Sequence, residues 1–497
     1  MPAKFLALLL LLAFPYTASA DTFSEALARP VLSPLGKSAL EKLEKKYKDT
    51  KFETAWVDIE DQEMQVRSFY TSSKKRNAAT LRSMKGLRDE VDKRIANGQP
   101  TKALYLINGD KRFYAFDKVE QDEMKAYIAA SYLAEDRAEK ALKLATQALS
   151  RSDEKVPQAG WIAGLAAWRT ERYRDAARYF EQAAKSPYAS SWTISAAAYW
   201  AARAHLKFDD YETHIKMLQQ AGQHPRTFYG MLALRSLGLD FAYNWELPLF
   251  TDAARSKLLG DKKTAALVYF LESGQEKLIE KSVRALPLTL EEGDAARILS
   301  ALLHYRAYEM AYRYANRYAA EKNFYFDAAL YPWTTWVKED DFKVDTALVH
   351  GFMRQESRMD PNAKSGAGAL GLLQLLPDTA KALDKTIKAE DLYKPAVNIT
   401  LGQKYLQKLL DGGNVRGNLF DLAIAYNAGP GKLARWKDDL KAIDDPLLFI
   451  ELIPSPESRA FIERVLRNYW IYRIRNNQPT ITLDSVAGGN IPRYQAD

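Results

Sequence analysis

Arg354 to Ala380 reads RQESRMDPNAKSGAGALGLLQLLPDTA, and the reading of this one stretch separates two unrelated folds. Its centre, GAGALG from Gly366 to Gly371, spells the dinucleotide fingerprint of an α/β sheet. That fingerprint works only where a hydrophobic strand delivers the first glycine and a helix N-terminus receives the phosphate. The preceding residues, RMDPNAKS, hold a proline and no apolar strand. Asp391 lies 20 residues after Gly371, but nothing around it reads as the second strand of a βαβ unit. The glycines therefore read as a turn. Upstream, VDTALVHGFMRQES reads as a helix with Leu348, Phe352 and Met359 on roughly one face and Gln355 near it. Glu356 stands near the helix end, and Asp360-Pro361 stops the helix. A carboxyl beside Phe352 and Met359 is partly desolvated, which raises its pKa and keeps it protonated as a general acid. From this stretch alone a solvated helix-end glutamate is the favoured reading, since most glutamates are exposed.

Three islands downstream add to this. GLLQLLP places the amide of Gln374 among leucines, where it needs a hydrogen-bond partner. AYNAGPGK (Ala425 to Lys432) ends a helix with Tyr426, Asn427 and two glycines. GPGK is not a phosphate-binding loop, because Leu433 follows the lysine and Tyr426 stands where the first glycine is required. ELIPSPESRAFIERVLRNY (Glu451 to Tyr469) sets Glu451 and Glu457 on either side of a Pro-x-Pro turn, with a helix start from Ser458 to Glu463. No Ser-His-Asp arrangement is legible. The five histidines never stand three or four apart, so no helical zinc pair exists, and the absence of cysteine removes disulfides and thiolate sites. No cofactor or metal is expected.

Outside this region the 497-residue chain is too long for one core. Residues 1–20, MPAKFLALLLLLAFPYTASA, combine Lys4, an apolar run from Phe5 to Phe14 and an Ala18-Ser19-Ala20 cleavage signal, which reads as an export leader cut after Ala20. The run is about half the length that spans a membrane, so no membrane anchor is expected. The net charge of +8 is spread as Lys and Arg interleaved with Asp and Glu at helical spacing, not as the basic stripe that nucleic acid requires. From about Asp21 to Asn323, within an expected first domain over 21–335, the pattern is helical almost throughout, and three segments resemble one another: YLAEDRAEKALKLATQAL from Tyr132, WRTERYRDAARYFEQAA from Trp168 and LKFDDYETHIKMLQQA from Leu206. Arg137 aligns with Arg172 and Tyr173 with Tyr211, spacings of 35 and 38 residues. Such a period predicts stacked helix pairs, an α-superhelical solenoid with a concave face. The aromatic residues Trp161, Trp168, Tyr179 and Phe180 are expected in its core. YFDAALYPWTTWVKEDD, from Tyr325, reads as a linker into a second domain over 336–478, and 479–497 as a turn-rich extension.

Taken in order, QES, S-x-A-G-A-x-G-L-x-Q-L-x-P, A-Y-N-A-G and E-x-I-P-x-x-E-S-R resemble the family 1 soluble lytic murein transglycosylases. TFYGMLALRSLG (Thr227 to Gly238) resembles their superhelical part less specifically. Leu373 and Leu376 stand where that family often has methionine, and Ser458 where threonine is usual. The resemblance implies a mainly α protein: an exported, periplasmic N-terminal superhelix followed by a lysozyme-like catalytic domain. It implies Glu356 as the single catalytic acid, with Ser357, Gln374, Tyr426, Asn427, Glu451 and Glu457 as substrate-binding or supporting positions. Peptidoglycan glycan strands would be the partner, and the β-1,4 bond between N-acetylmuramic acid and N-acetylglucosamine the one cleaved. A lysozyme-type hydrolase on the same fold and a non-catalytic cell-wall-binding scaffold are the competing readings.

Overall fold

The computed structural model describes residues 69–495 except Ala442, together with Lys45. The expected leader and the first part of the expected solenoid lie outside the described residues. Among those described, regular structure is helical, and β pairing is confined to three isolated bridges. The mainly α expectation holds.

The first block contains α1 (Ala78–Ala96), α2 (Pro100–Gly109), α3 (Lys118–Ala134), α4 (Ala138–Ser152), α5 (Pro157–Arg169), α6 (Tyr173–Ala184), α7 (Ser191–Leu206), α8 (Tyr211–Gly222) and α9 (Phe228–Ser236). It continues with α10 (Asp252–Leu259), α11 (Lys262–Ser273), α12 (Glu276–Ala285), α13 (Glu292–His304), α14 (Tyr308–Lys322) and the short α15 (Asp327–Leu330). Successive helices from α3 to α8 pack on one another as the repeat predicts. The repeated unit is a specific turn. Asp136, Glu171 and Asp209 each take left-handed backbone, with φ of 53°, 60° and 61°. The next residue's N–H returns to a carbonyl of the preceding helix: Arg137 to Tyr132, Arg172 to Ala167, Asp210 to His205. These are Schellman closures, which satisfy carbonyls that the helix end would otherwise leave without donors. The same closure recurs at Gly274–Gln275 and Arg306–Ala307, so the α11/α12 and α13/α14 pairs continue a repeat whose sequence has drifted beyond recognition. Trp161, Trp168 and Phe180 are buried around Trp200, with Trp168 edge-on to it at 5.0 Å between centroids. Tyr179 is only half-buried. The expectation of near-continuous helix fails between α9 and α10, where Leu239 to Phe250 carry no regular secondary structure. Pro248 cannot enter a helix interior. Asp327 fastens this segment by accepting the Asn244 N–H at 2.8 Å.

The second block holds α16 (Thr346–Ser357), α17 (Pro377–Leu383), α18 (Pro395–Leu410), α19 (Leu419–Ala428), α20 (Pro430–Asp439), α21 (Pro446–Leu452), α22 (Pro456–Arg475) and α23 (Ile481–Ala487). Its core is α16 laid against α22. The helices touch because residue 351 is glycine: a Cβ there would meet the Tyr469 backbone N at 3.0 Å. Arg354 crosses this interface buried, donating to Leu330 O at 2.8 Å and to Asn468 Oδ1 at 2.8 Å. Helix α22 begins at Pro456, with Ser455 as its cap, slightly before the expected Ser458.

The two blocks share one hydrophobic core. Phe228 of α9 stacks on Trp470 of α22 at 5.2 Å, Arg467 donates to Arg226 O, and Arg203 pairs with Asp445 at 2.7 Å. The tail differs from expectation. Residues 481–487 form α23, whose Leu483 and Val486 are buried, and Asp484 pairs with Arg235 of α9 at 2.7 Å. Alternating polar and apolar residues over one short helix are too brief a pattern to stand out in sequence, and α23 depends on the α9 surface for its partners.

Candidate active site

Glu356 occupies the last turn of α16. Asp345 starts that helix by accepting the Ala347 N–H at 2.8 Å, and Tyr469 and Arg473 hold the same carboxylate. At the other end Arg358 and Met359 both take left-handed backbone, with φ of 54° and 66°, which breaks the helix immediately after Ser357. The predicted Phe352 and Met359 are both buried. Glu356 itself is half-buried, and among the described residues its carboxyl has no hydrogen bond or ion pair. Desolvation first, and the charge of Glu457 second, push its pKa from 4.5 up to about 8. The group is therefore a protonated acid at neutral pH.

The glycine stretch is the turn that the sequence suggested. Leu370 pairs with Lys364 on one side and Leu375 on the other. Gly371 sits at φ +73°, and a Cβ there would lie 2.1 Å from Leu392 O. Buried Asn398 of α18 fixes the whole loop: its Oδ1 accepts the Leu373 N–H at 2.8 Å, and its Nδ2 donates to Leu370 O and Leu392 O at 2.9 and 2.8 Å. Gln374 turns its amide back, with Nε2 donating to Ala363 O at 3.1 Å and Gly371 O at 2.9 Å. Tyr426 donates its hydroxyl to Leu373 O at 2.6 Å and packs its ring against Phe352, 4.7 Å between centroids. Burial and then the Glu356 charge hold the Tyr426 phenol far above its usual range.

A cavity of about 730 Å³ opens in front of Glu356. Gln355, Glu356, Asn427, Glu451 and Glu457 all line it, so four of the seven sequence-predicted positions meet there. The other three stand behind it. Ser357 is buried and donates back to Met353 O at 3.0 Å, while Gln374 and Tyr426 shape the neighbouring loop. Asn427 accepts a hydrogen bond from Ser458 at 2.7 Å, tying α19 to the start of α22. Glu457 is exposed at the rim. Glu451 is buried and accepts the hydroxyl of Tyr229 from α9. Burial raises its pKa, and Glu463 beside it is raised further, by burial and then by Glu451. Tyr229 and Glu463 were not singled out for this role by sequence. Tyr229 lies in the TFYG segment more than two hundred residues from its partner, and only the docking of α9 brings them together.

The remaining wall comes from the superhelix: Tyr127 of α3, Gln158 and Trp161 of α5, and Trp192 of α7 all face the same cavity. No group of three or more His, Cys, Asp or Glu suited to a metal is found among the described residues, and none of their helices is long and apolar enough to cross a membrane.

Residues 336–448 match the family described as the transglycosylase SLT domain. The chain carries that domain. A soluble lytic murein transglycosylase of Escherichia coli is 37% identical over 136 residues, 26% of this chain and 21% of its own. A candidate soluble lytic murein transglycosylase of Haemophilus influenzae is 28% identical over 276 residues, 51% of this chain and 43% of its own. The chain thus spans less than half the length of these relatives. The fold is similar well beyond the SLT domain. A solved lytic transglycosylase Slt of Pseudomonas aeruginosa superposes with a TM-score of 0.61 at 22% identity, covering 92% of this chain and 70% of that one. The 70-kDa soluble lytic transglycosylase of Escherichia coli gives 0.53 at 19%, covering 93% and 81%. The SLT domain therefore sits on a superhelix of the same architecture as theirs.

Proposed function

We propose that this chain is a peptidoglycan lytic transglycosylase that cleaves the β-1,4 bond between N-acetylmuramic acid and N-acetylglucosamine without water. The observation that carries the reading is Glu356: a protonated carboxyl at the end of α16, free of hydrogen bonds among the described residues, at the wall of a cavity large enough for a sugar polymer segment. The match of residues 336–448 to the SLT domain supports the same chemistry.

In this reading Glu356 donates its proton to the glycosidic oxygen, and the N-acetylglucosamine side leaves with a free 4-hydroxyl. The substrate's 2-acetamido group supports the positive charge developing at C1, which replaces the second carboxylate of an ordinary glycosidase. Glu356, now a carboxylate, takes the proton of the muramoyl 6-hydroxyl as that oxygen bonds to C1. The product is a 1,6-anhydro sugar, and Glu356 ends protonated as it began. A residue that serves as acid and then base works best with a pKa near ambient pH, which burial and Glu457 provide. Tyr426, Asn398 and Gln374 hold the loop beside the acid and do no proton transfer. The reading puts the substrate in an exported compartment, consistent with the leader-like residues 1–20.

Mass spectrometry of purified peptidoglycan after incubation with the chain and with Glu356→Gln tests this. Fragments one water lighter than hydrolysis products, made by the wild type alone, are the expected result. Normal reducing ends would replace the reaction with hydrolysis, and no cleavage by either protein would leave a binding scaffold.

A further inference from the structure

The cavity in front of Glu356 has a second wall that does not belong to the SLT domain. Helices α1, α3, α5 and α7 contribute Ile95, Tyr127, Gln158, Trp161 and Trp192, all more than 150 residues before Glu356 in the chain. This wall is largely apolar and is held in place by a docked interface, Phe228 on Trp470 and Arg467 over Trp192 at 5.2 Å. Within it the longest neutral polar side chain is Gln158. The Gln158 amide is half-buried and, among the described residues, makes no hydrogen bond. From the SLT side, Glu463 on α22 lines the cavity half-buried and without a hydrogen bond among the described residues, while burial and Glu451 raise its pKa against the pull of Arg459, Arg464 and Arg467.

Polar groups that line a cavity without a hydrogen-bond partner in the protein are free to bond whatever occupies it, water or ligand. Apolar walls with a few convergent polar groups are the profile of a small-molecule site. An amide and a carboxyl together donate and accept, which matches the hydroxyl and acetamido groups of a neutral sugar ring.

We propose that Gln158 of the superhelix and Glu463 of α22 form a saccharide-binding subsite next to Glu356, so that the superhelix takes part directly in substrate recognition. This rests on the glycan-cleaving reading above. Both residues bind and neither reacts. Their loss therefore weakens binding and leaves untouched the pH at which activity falls, because the Glu356 pKa is set by its own burial and by Glu457.

The test is calorimetric binding of a β-1,4-linked N-acetylglucosamine tetramer to the full chain carrying Glu356→Gln, which cannot cleave it. Gln158→Leu keeps the side-chain volume and removes both hydrogen-bonding atoms, and Glu463→Leu does the same on the other wall. Each is expected to weaken Kd by about three- to tenfold, the net worth of a hydrogen bond or two. Glu463→Gln, which keeps donor and acceptor, is expected to restore binding to within about twofold on the same scale. In the cleavable chain the Leu variants raise KM with an unchanged pH profile. A Kd unchanged by both Leu substitutions, with the Glu356→Gln parent still binding the tetramer, overturns the subsite and leaves the proposed reaction standing. A parent that binds no tetramer, together with a wild type that releases no anhydro product, overturns both.

Discussion

Replacing Glu356 by Gln makes a stability prediction as sharp as the catalytic one. The folded carboxyl has its pKa raised from 4.5 to about 8, whereas the unfolded chain returns it to the ordinary value. Between those two pH values the folded protein binds a proton that the unfolded protein does not, so this group's contribution to stability falls as pH rises. It is fully present below pH 4.5 and fully lost above about 8. Each unit is worth about 1.4 kcal/mol, so at pH 7 the carboxyl costs on the order of 3 kcal/mol, less whatever water reaches the half-exposed side chain from the cavity. Gln has the same shape and no charge to desolvate. Urea unfolding followed by tryptophan fluorescence, at steps from pH 4.5 to pH 8.5, should therefore show wild type and Glu356→Gln coinciding at the acid end. The variant should become progressively more stable, by about 2–3 kcal/mol at pH 7. Subtraction cancels the other titrating groups, such as Glu309, whose pKa burial lifts to about 7. A difference that stays flat across this range would refute the desolvated-acid argument, whatever the activity shows. The same variant should lose about 100-fold or more in turnover, and wild-type activity should fall as pH rises through about 8.

Other perturbations separate positioning from chemistry. Asn398→Ala removes the partner of one N–H and two carbonyls in a buried loop, at about 1–3 kcal/mol each, and a drop in the urea midpoint of that order is expected. Gly371→Ala meets both a positive φ and the Leu392 carbonyl, so it should abolish folding of the SLT domain as read by circular dichroism, while Gly366→Ala, with open space around it, should be tolerated. Tyr426→Phe loses the hydroxyl that holds Leu373, and should lower turnover about tenfold at a stability cost of about 1 kcal/mol, with the alkaline limb of the pH profile retained. Phe228→Ala opens a hole where α9 meets Trp470, and should destabilise the chain by about 3–5 kcal/mol and expose the α9–α22 junction to limited proteolysis.

Much of this was legible in the sequence because local rules govern it. Three drifted repeats gave the helix pairs, since each pair buries its face only against a neighbour and must repeat its apolar spacing. The failure of GAGALG as a cofactor loop followed from the proline and the missing strand before it. Glu356 read from its own stretch as a solvated helix-end residue, and only the ordered motifs downstream, through the family they resemble, singled it out as the acid. The further repeats were not readable. Their closures at Gly274 and Arg306 are backbone geometry that different residues can adopt. Helix α23 was missed for the reason that its stability comes from Arg235 and Trp470, not from its own seven residues.

What the tertiary structure alone decided is how the distant parts divide the work. Sequence placed Ser357, Gln374, Tyr426, Asn427, Glu451 and Glu457 in one group around the acid. The fold instead points Asn427, Glu451 and Glu457 into the cavity and uses Ser357, Gln374 and Tyr426 to hold the backbone around it. It also seats Tyr229 on Glu451 and Gln158 across the cavity from the SLT domain. No spacing along the chain encodes these last two meetings. They follow from where the superhelix docks on α22, and docking is set by the shapes of two surfaces that residues far apart in the chain build together.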